Sequence, residues 1–138
     1  MNHYQKHQFA IREMRLALMK AFPNSIRIFD RHVGLFFTVH GHPIKINKKG
    51  MCDNWAVLTC LSKKKVLPIH IEIETKTGDP RLTHSQIRWK NFCQTIGVWH
   101  FLNKNDGKLV DDIKSQLIKS SLKVYKYDFP SISTIENL

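Results

Sequence analysis

Apolar and polar positions along the chain alternate at two periods, and the change of period marks the elements. From about Tyr4 to Phe22 the apolar residues Phe9, Met14, Leu16, Leu18 and Phe22 recur at helical spacing, and Pro23-Asn24 ends the run. Three short extended segments follow, Ile26–Phe29, Leu35–Val39 and Pro43–Ile46, separated by Gly34, Gly41 and the turn Asn47-Lys48-Lys49-Gly50. Trp55–Leu61 reads as a strand, Ser62–Lys65 as a basic turn, and Val66–Lys76 as a second strand. After a Gly/Pro loop, Thr83 caps a helix that runs to about Ile96 and stops at Gly97. Val98–Leu102 is a strand, Asn105-Asp106-Gly107 a turn, and Leu109–Leu122 a last amphipathic helix. This order predicts an α/β domain, a mixed β-sheet flanked by helices, over residues 1–122, with 123–138 as a C-terminal extension.

One strand carries more than structure. In Ile69-His70-Ile71-Glu72-Ile73-Glu74-Thr75-Lys76, the isoleucines share one face and enter the core. His70, Glu72, Glu74 and Lys76 share the other, which is either a solvated face or a site. The preceding strand begins just after Asp53, so a hairpin between the two strands brings Asp53 and Glu74 together. Two converging carboxylates suit Mg²⁺, with water and phosphate completing its shell. A lysine beside them can orient a water and neutralise charge on a phosphate.

Charge sharpens this picture. The 138-residue chain has a net charge of +11 and a pI of about 9.8, and its only acids before Glu72 are Glu13, Asp30 and Asp53. So positive a field favours a polyanion, because each neutralised phosphate releases counterions. Lys48, Lys49, Lys63, Lys64, Lys65 and Arg88 are the candidate phosphate contacts, with plain solvated charge as the alternative. No run approaches the length of a membrane span, and no apolar signal core opens the chain. Cys52, Cys60 and Cys93 are odd in number and lack metal spacing, which points to a reducing, cytoplasmic interior. His40-Gly41-His42 has no third ligand at matching spacing, and reads as a loop near DNA. Trp89 and Phe92 are assigned to the core, His84 and His100 to structural roles, and Cys52 has no implied histidine partner.

Three motifs occur in sequence: Gly50-Met51-Cys52-Asp53, then Ile71-Glu72-Ile73-Glu74-Thr75-Lys76, then Leu82-Thr83-His84-Ser85-Gln86, with Gln86 ten residues beyond Lys76. As a set they resemble the VRR-NUC domain, the virus-type replication-repair nuclease branch of the PD-(D/E)XK superfamily, over roughly Glu13 to Leu117. The resemblance implies a restriction-endonuclease-like fold and a nuclease using Mg²⁺ or Mn²⁺. It implies Asp53, Glu74 and the Thr75 carbonyl as metal ligands, Lys76 as the catalytic lysine and Gln86 as a supporting residue. It also implies products with 5′-phosphate and 3′-hydroxyl ends, and a homodimer acting on branched DNA such as Holliday junctions. Members of the superfamily often place a glutamate of the first helix near the metal. Glu13 is the only acid in the first 29 residues and is the candidate, its alternative being a surface pair with a neighbouring Arg or Lys. Glu72 departs from the usual apolar run before Glu-x-Lys. It stands behind the ligands, binds a second metal, or partners a nearby cation. Two other functions stay open: a non-catalytic nucleic-acid-binding module on the same fold, and a nuclease directed at RNA.

Overall fold

The computed structural model describes residues 1–31, 34–46 and 49–126, with the side chains of 34–37 and 44–46 excepted. Lys48 and the end of the predicted extension, 127–138, lie outside the described residues. The chain runs α1 (His3–Ala21), β1 (Ile26–Asp30), β2 (Gly34–Phe37), β3 (Pro43–Ile46), β4 (Asn54–Ser62), β5 (Lys65–Thr75), α2 (His84–Thr95), β6 (Trp99–Asn103), α3 (Leu109–Lys119) and β7 (Lys123–Val124). The main sheet has five strands in the order β1-β4-β5-β6, with β7 pairing β4 beyond the end of β1. β5 and β6 are parallel, and the other pairs are antiparallel. β2 and β3 form a separate hairpin. The fold is therefore α/β, a mixed sheet flanked by three helices. No described helix is long and apolar enough to cross a membrane.

The strand alternation read from the sequence decides the layers. Ala56, Leu58, Ile71 and Ile73 point to one face, where they bury completely against Met14 and Leu18 of α1, its C-cap Phe22, and Leu109, Ile113 and Leu117 of α3. Each fully buried Leu or Ile contributes about 1.5–3 kcal/mol, so this layer is the main source of stability. Arg15 ties α1 to the sheet through Asp30, at 2.8 Å, and Asp30 in turn accepts from Asn54 Nδ2 at 2.8 Å. α2 covers the opposite face.

Three expectations about packing need correction. The buried stripe of α1 is Ala10, Met14 and Leu18, whereas Phe9 and Leu16 are half exposed. At 100° per residue they fall well off the line set by 10, 14 and 18. Phe92 is also half exposed, on the outer side of Trp89, because only Cys93 of α2 is buried. The last helix stops at Lys119 rather than Leu122, and Ser121, at φ 54°, turns the chain into β7.

Candidate metal and phosphate site

The β4–β5 register pairs Asn54 with Ile73 and Trp55 with Glu72. Asp53 immediately precedes β4 and Glu74 follows Ile73, so both lie just past the Asn54–Ile73 pair, at the end of the sheet where β5 terminates. The two are close: the Asp53 carboxylate raises the Glu74 pKa, and the Asp53 backbone makes a hydrogen bond to the Glu74 carboxyl. Lys76 follows one residue past the strand, its N–H fixed on the Asn103 carbonyl at 2.9 Å. Thr75 faces the other layer, where its Oγ1 accepts from Asn103 Nδ2 at 3.3 Å, so only its backbone carbonyl is left to serve this site.

Glu74 is 4% exposed. Burial pushes its carboxyl up to about 8, and the neighbouring Asp53 carboxylate adds to the rise; the Lys76 ammonium opposes it. Gln86 holds this carboxylate. Its Nε2 donates to Glu74 Oε1 at 2.9 Å, while its Oε1 accepts the N–H of Thr83 at 2.9 Å. Thr83 Oγ1 accepts in return from the Gln86 N–H, so one residue closes the capping box of α2 and positions the acid. The start of α2 is itself docked on the loop before β4. Gly50 sits at φ +94°, and a Cβ there would lie 2.4 Å from the Ser85 carbonyl oxygen. Only glycine fits, both for the backbone angle and for the approach.

Four buried side-chain polar atoms among the described residues have no hydrogen-bond partner: Asp53 Oδ2, Asn54 Oδ1, Glu74 Oε2 and Thr77 Oγ1. Asp53 and Asn54 stand at the start of β4, and Glu74 and Thr77 lie at and just past the end of β5. Buried polar atoms are nearly always satisfied, so a cluster of orphans calls for a missing partner. Two of the four are carboxylate oxygens, and such hard donors are of the kind that could hold Mg²⁺ or Mn²⁺. No three His, Cys, Asp or Glu side chains among the described residues form a ready-made cluster for a metal. A cation here would rest on Asp53 and Glu74, with main-chain oxygen and water as further donors.

α1 reaches this centre through a different residue from the expected one. His7 Nε2 lies 3.3 Å from Asp53 Oδ2, in an ion-pair approach without hydrogen-bond geometry. Glu13 is not brought into the group; it is exposed and lines a cavity between α1 and α3. His7 continues the buried stripe of Ala10, Met14 and Leu18 towards the N-terminus, and that phase was the available signal.

Glu72 is fully buried and fully engaged. Arg31 grips it with both Nη atoms, Nη2 at 3.1 Å from Oε2; His70 Nε2 lies 2.7 Å from Oε2, and Trp89 Nε1 donates to Oε1 at 3.0 Å. Of its three anticipated roles, the geometry is that of a partner to a cation. Arg31 also donates to the Cys52 carbonyl at 3.3 Å, beside Asp53, and lies over the Trp89 ring. Cys52 does have a histidine neighbour, contrary to expectation: His100 Nε2 is 3.3 Å from its Sγ. Burial and the nearby Glu74 drive the thiol pKa strongly up, so it is inert as a nucleophile.

The basic candidates divide by distance. Lys49 and Arg88 lie at the Gly50–Ser85 contact: Lys49 precedes Gly50, and Arg88 Nη2 donates to Ser85 Oγ at 3.2 Å. Lys63, Lys64 and Lys65 are exposed at the opposite end of the β4–β5 hairpin. Nine residues of strand, at about 3.3 Å each, place them roughly 30 Å from Glu74. His40 and His42 are exposed near the β2–β3 turn. No family model matches the chain, nor does any curated protein or solved structure.

Proposed function

We propose that this protein is a Mg²⁺- or Mn²⁺-dependent nuclease that hydrolyses a phosphodiester bond of DNA. One observation carries the reading: Asp53 and Glu74 lie at the same end of the paired strands β4 and β5, each with a buried oxygen that lacks a hydrogen-bond partner, and the Lys76 ammonium acts on Glu74. Asp53 and Glu74 would hold the cation, and Gln86 keeps the Glu74 carboxylate aimed at it. When bound, the ion neutralises charge on the phosphate and acts as a Lewis acid towards it. Lys76 supplies hydrogen-bond donors to the attacking water and to a phosphate oxygen as charge develops there. Lys49 and Arg88, beside the contact that seats α2, would serve as phosphate contacts that position the strand without reading its sequence. The net charge of +11 supplies the long-range attraction. The resemblance to VRR-NUC domains in three short motifs supports the same assignment. It adds branched DNA as the preferred substrate, a homodimer as the acting form and a cytoplasmic setting.

The test is cleavage of nicked, flapped, four-way and linear DNA, and of an RNA of matched sequence, in Mg²⁺, in Mn²⁺ and in EDTA. The expected result is cleavage of DNA that requires the ion and is lost in Lys76→Ala. Cleavage by Lys76→Ala equal to that of the parent, or tight binding with no cleavage in either metal, would overturn the proposal.

A further inference from the structure

Glu13 is left without a role by the site described above, and it has none in helix pairing either. Its neighbours at three and four residues are Phe9, Ala10, Leu16 and Ala17, and none is basic. In a chain of net charge +11, its carboxylate has no hydrogen-bond or ion-pair partner among the described residues. It instead lines a cavity of about 310 Å³ between α1, α3 and the end of β6. The walls include Phe9, Met14 and Val110, and the polar groups are Glu13, Asn103 and Asn105. This volume lies at the small end of ligand pockets, the right scale for one heterocyclic base.

The polar groups restrict what can enter. Asn103 is committed, with its Nδ2 on Thr75 Oγ1 and its Oδ1 accepting the Asn105 N–H at 3.1 Å. The Glu13 carboxylate and the Asn105 side-chain amide are uncommitted among the described residues. A carboxylate only accepts hydrogen bonds, so a planar ligand must offer it N–H donors. Guanine is the base that presents two adjacent donors, N1–H and N2–H, with an acceptor, O6, beside them for the Asn105 amide. Phe9, half exposed, offers a ring for stacking. We infer that this cavity is a guanine-binding pocket next to the candidate nuclease centre. Its floor is continuous with that centre: Asn103 bonds both to Thr75 and, through its carbonyl, to the N–H of Lys76. As a specificity pocket it rests on the nuclease reading; as a base-binding site it does not.

The source of the base, a free nucleotide or an unpaired residue of a nucleic acid, is resolved by experiment. GMP, IMP and AMP are titrated against the full-length protein in EDTA, followed by NMR or calorimetry. Cleavage of single-stranded oligonucleotides with guanine, hypoxanthine or adenine beside the scissile bond is measured in parallel with Mg²⁺. GMP is expected to bind at least about tenfold more tightly than AMP, with IMP between them, because one bidentate pair discriminates bases by that order. Glu13→Gln removes one acceptor from an exposed position and should abolish the preference. Ala17→Phe, also at an exposed position, should fill the cavity and block binding. Equal affinity for GMP and AMP, or a GMP preference that survives both variants, overturns the inference. Guanine preference in binding but not in cleavage assigns the pocket to free nucleotide. Cleavage with no guanine preference in either binding or cutting sinks the pocket and spares the nuclease; guanine-selective binding without any cleavage does the reverse.

Discussion

The most direct consequence of the site is that its own acids should destabilise the metal-free protein, and Glu74→Gln measures by how much. The Glu74 carboxyl is raised from 4.5 to about 8, chiefly by burial and then by Asp53. Between those two pH values the folded protein holds a proton that the unfolded chain has released. Stability from this group is therefore present below about pH 4.5 and is lost as pH rises through 8. At about 1.4 kcal/mol per pH unit, the full interval corresponds to about 5 kcal/mol. Glutamine has nearly the same shape and no charge. Its carbonyl can accept from Gln86, and its amide can donate to the orphaned Asp53 Oδ2.

In EDTA, urea unfolding followed by the fluorescence of Trp55, Trp89 and Trp99 should give similar stabilities for parent and Glu74→Gln near pH 4.5. A widening advantage for the variant is expected up to pH 9. At about 2–4 °C per kcal/mol for a chain of this size, the difference will also be plain in Tm. Adding Mg²⁺ or Mn²⁺ at a hundred times its Kd should restore about 2.7 kcal/mol to the parent and little to the variant. Two stability curves that stay parallel across this range in EDTA would show that Glu74 is not held protonated by Asp53 and burial. Equal stabilisation of both proteins by the ion would place its binding elsewhere.

Three further perturbations test the supports of the site. Arg31→Met removes the guanidinium from buried Glu72, leaving it only His70 and Trp89, and should cost about 3–5 kcal/mol in urea unfolding, whereas Arg31→Met with Glu72→Leu should recover most of that loss. Gly50→Ala combines a backbone angle that costs about 1–2 kcal/mol with a collision against Ser85. It should destabilise by more than about 2 kcal/mol and, by moving α2 and with it Gln86, weaken Mn²⁺ binding in calorimetry. Lys63 and Lys64 hold φ 48° and 69° in a two-residue hairpin turn. Lys63→Asn with Lys64→Gly supplies residues that favour those angles and should raise stability by about 1–2 kcal/mol. Because the turn is remote from Glu74, DNA cleavage at saturating substrate should be unchanged; a fall in the salt dependence of binding would identify the turn as a phosphate contact.

Much of the sheet was legible because the period-two pattern of β5 is unambiguous. Ile71 and Ile73 could only be core, and a hairpin from Asp53 could only meet Glu74. What local pattern left open was whether the polar face was covered. α2 covers it with little amphipathic signal, since Trp89, Cys93 and Gln86 are a thin buried edge on an otherwise polar helix. The contact that seats α2, Gly50 against Ser85, joins residues 35 apart, and no spacing rule reaches that far. Choosing Glu13 as the only early acid failed because identity was weighed without phase. The stripe of Ala10, Met14 and Leu18 turns His7 towards Asp53 and Glu13 towards the cavity. β7 was missed because two residues, Lys123 and Val124, carry no periodicity at all.

The two glutamates of β5 make the strongest case that the orphaned oxygens have a purpose. Glu72 and Glu74 lie two residues apart on one face of one strand, and both are almost wholly removed from water. Around Glu72 the chain supplies a guanidinium, an imidazole and an indole N–H, leaving neither oxygen alone. Around Glu74 it supplies the Gln86 amide, a backbone hydrogen bond from Asp53 and the field of Lys76, and it sets the Asp53 carboxylate nearby. An oxygen of each acid is left without a hydrogen bond, His7 approaching that of Asp53 to 3.3 Å. The fold thus contains, one turn of pleat away, its own solution to burying an acid, and does not apply it at Glu74. An arginine in that space would satisfy both carboxylates and stabilise the sheet by removing their mutual repulsion. It would also fill the position that a divalent ion and a phosphate need. Left so, this end of the sheet holds Glu74 as the neutral acid up to about pH 8 and carries an uncompensated charge above it. That is the arrangement the proposed cation site requires, and a structural salt bridge would have removed it.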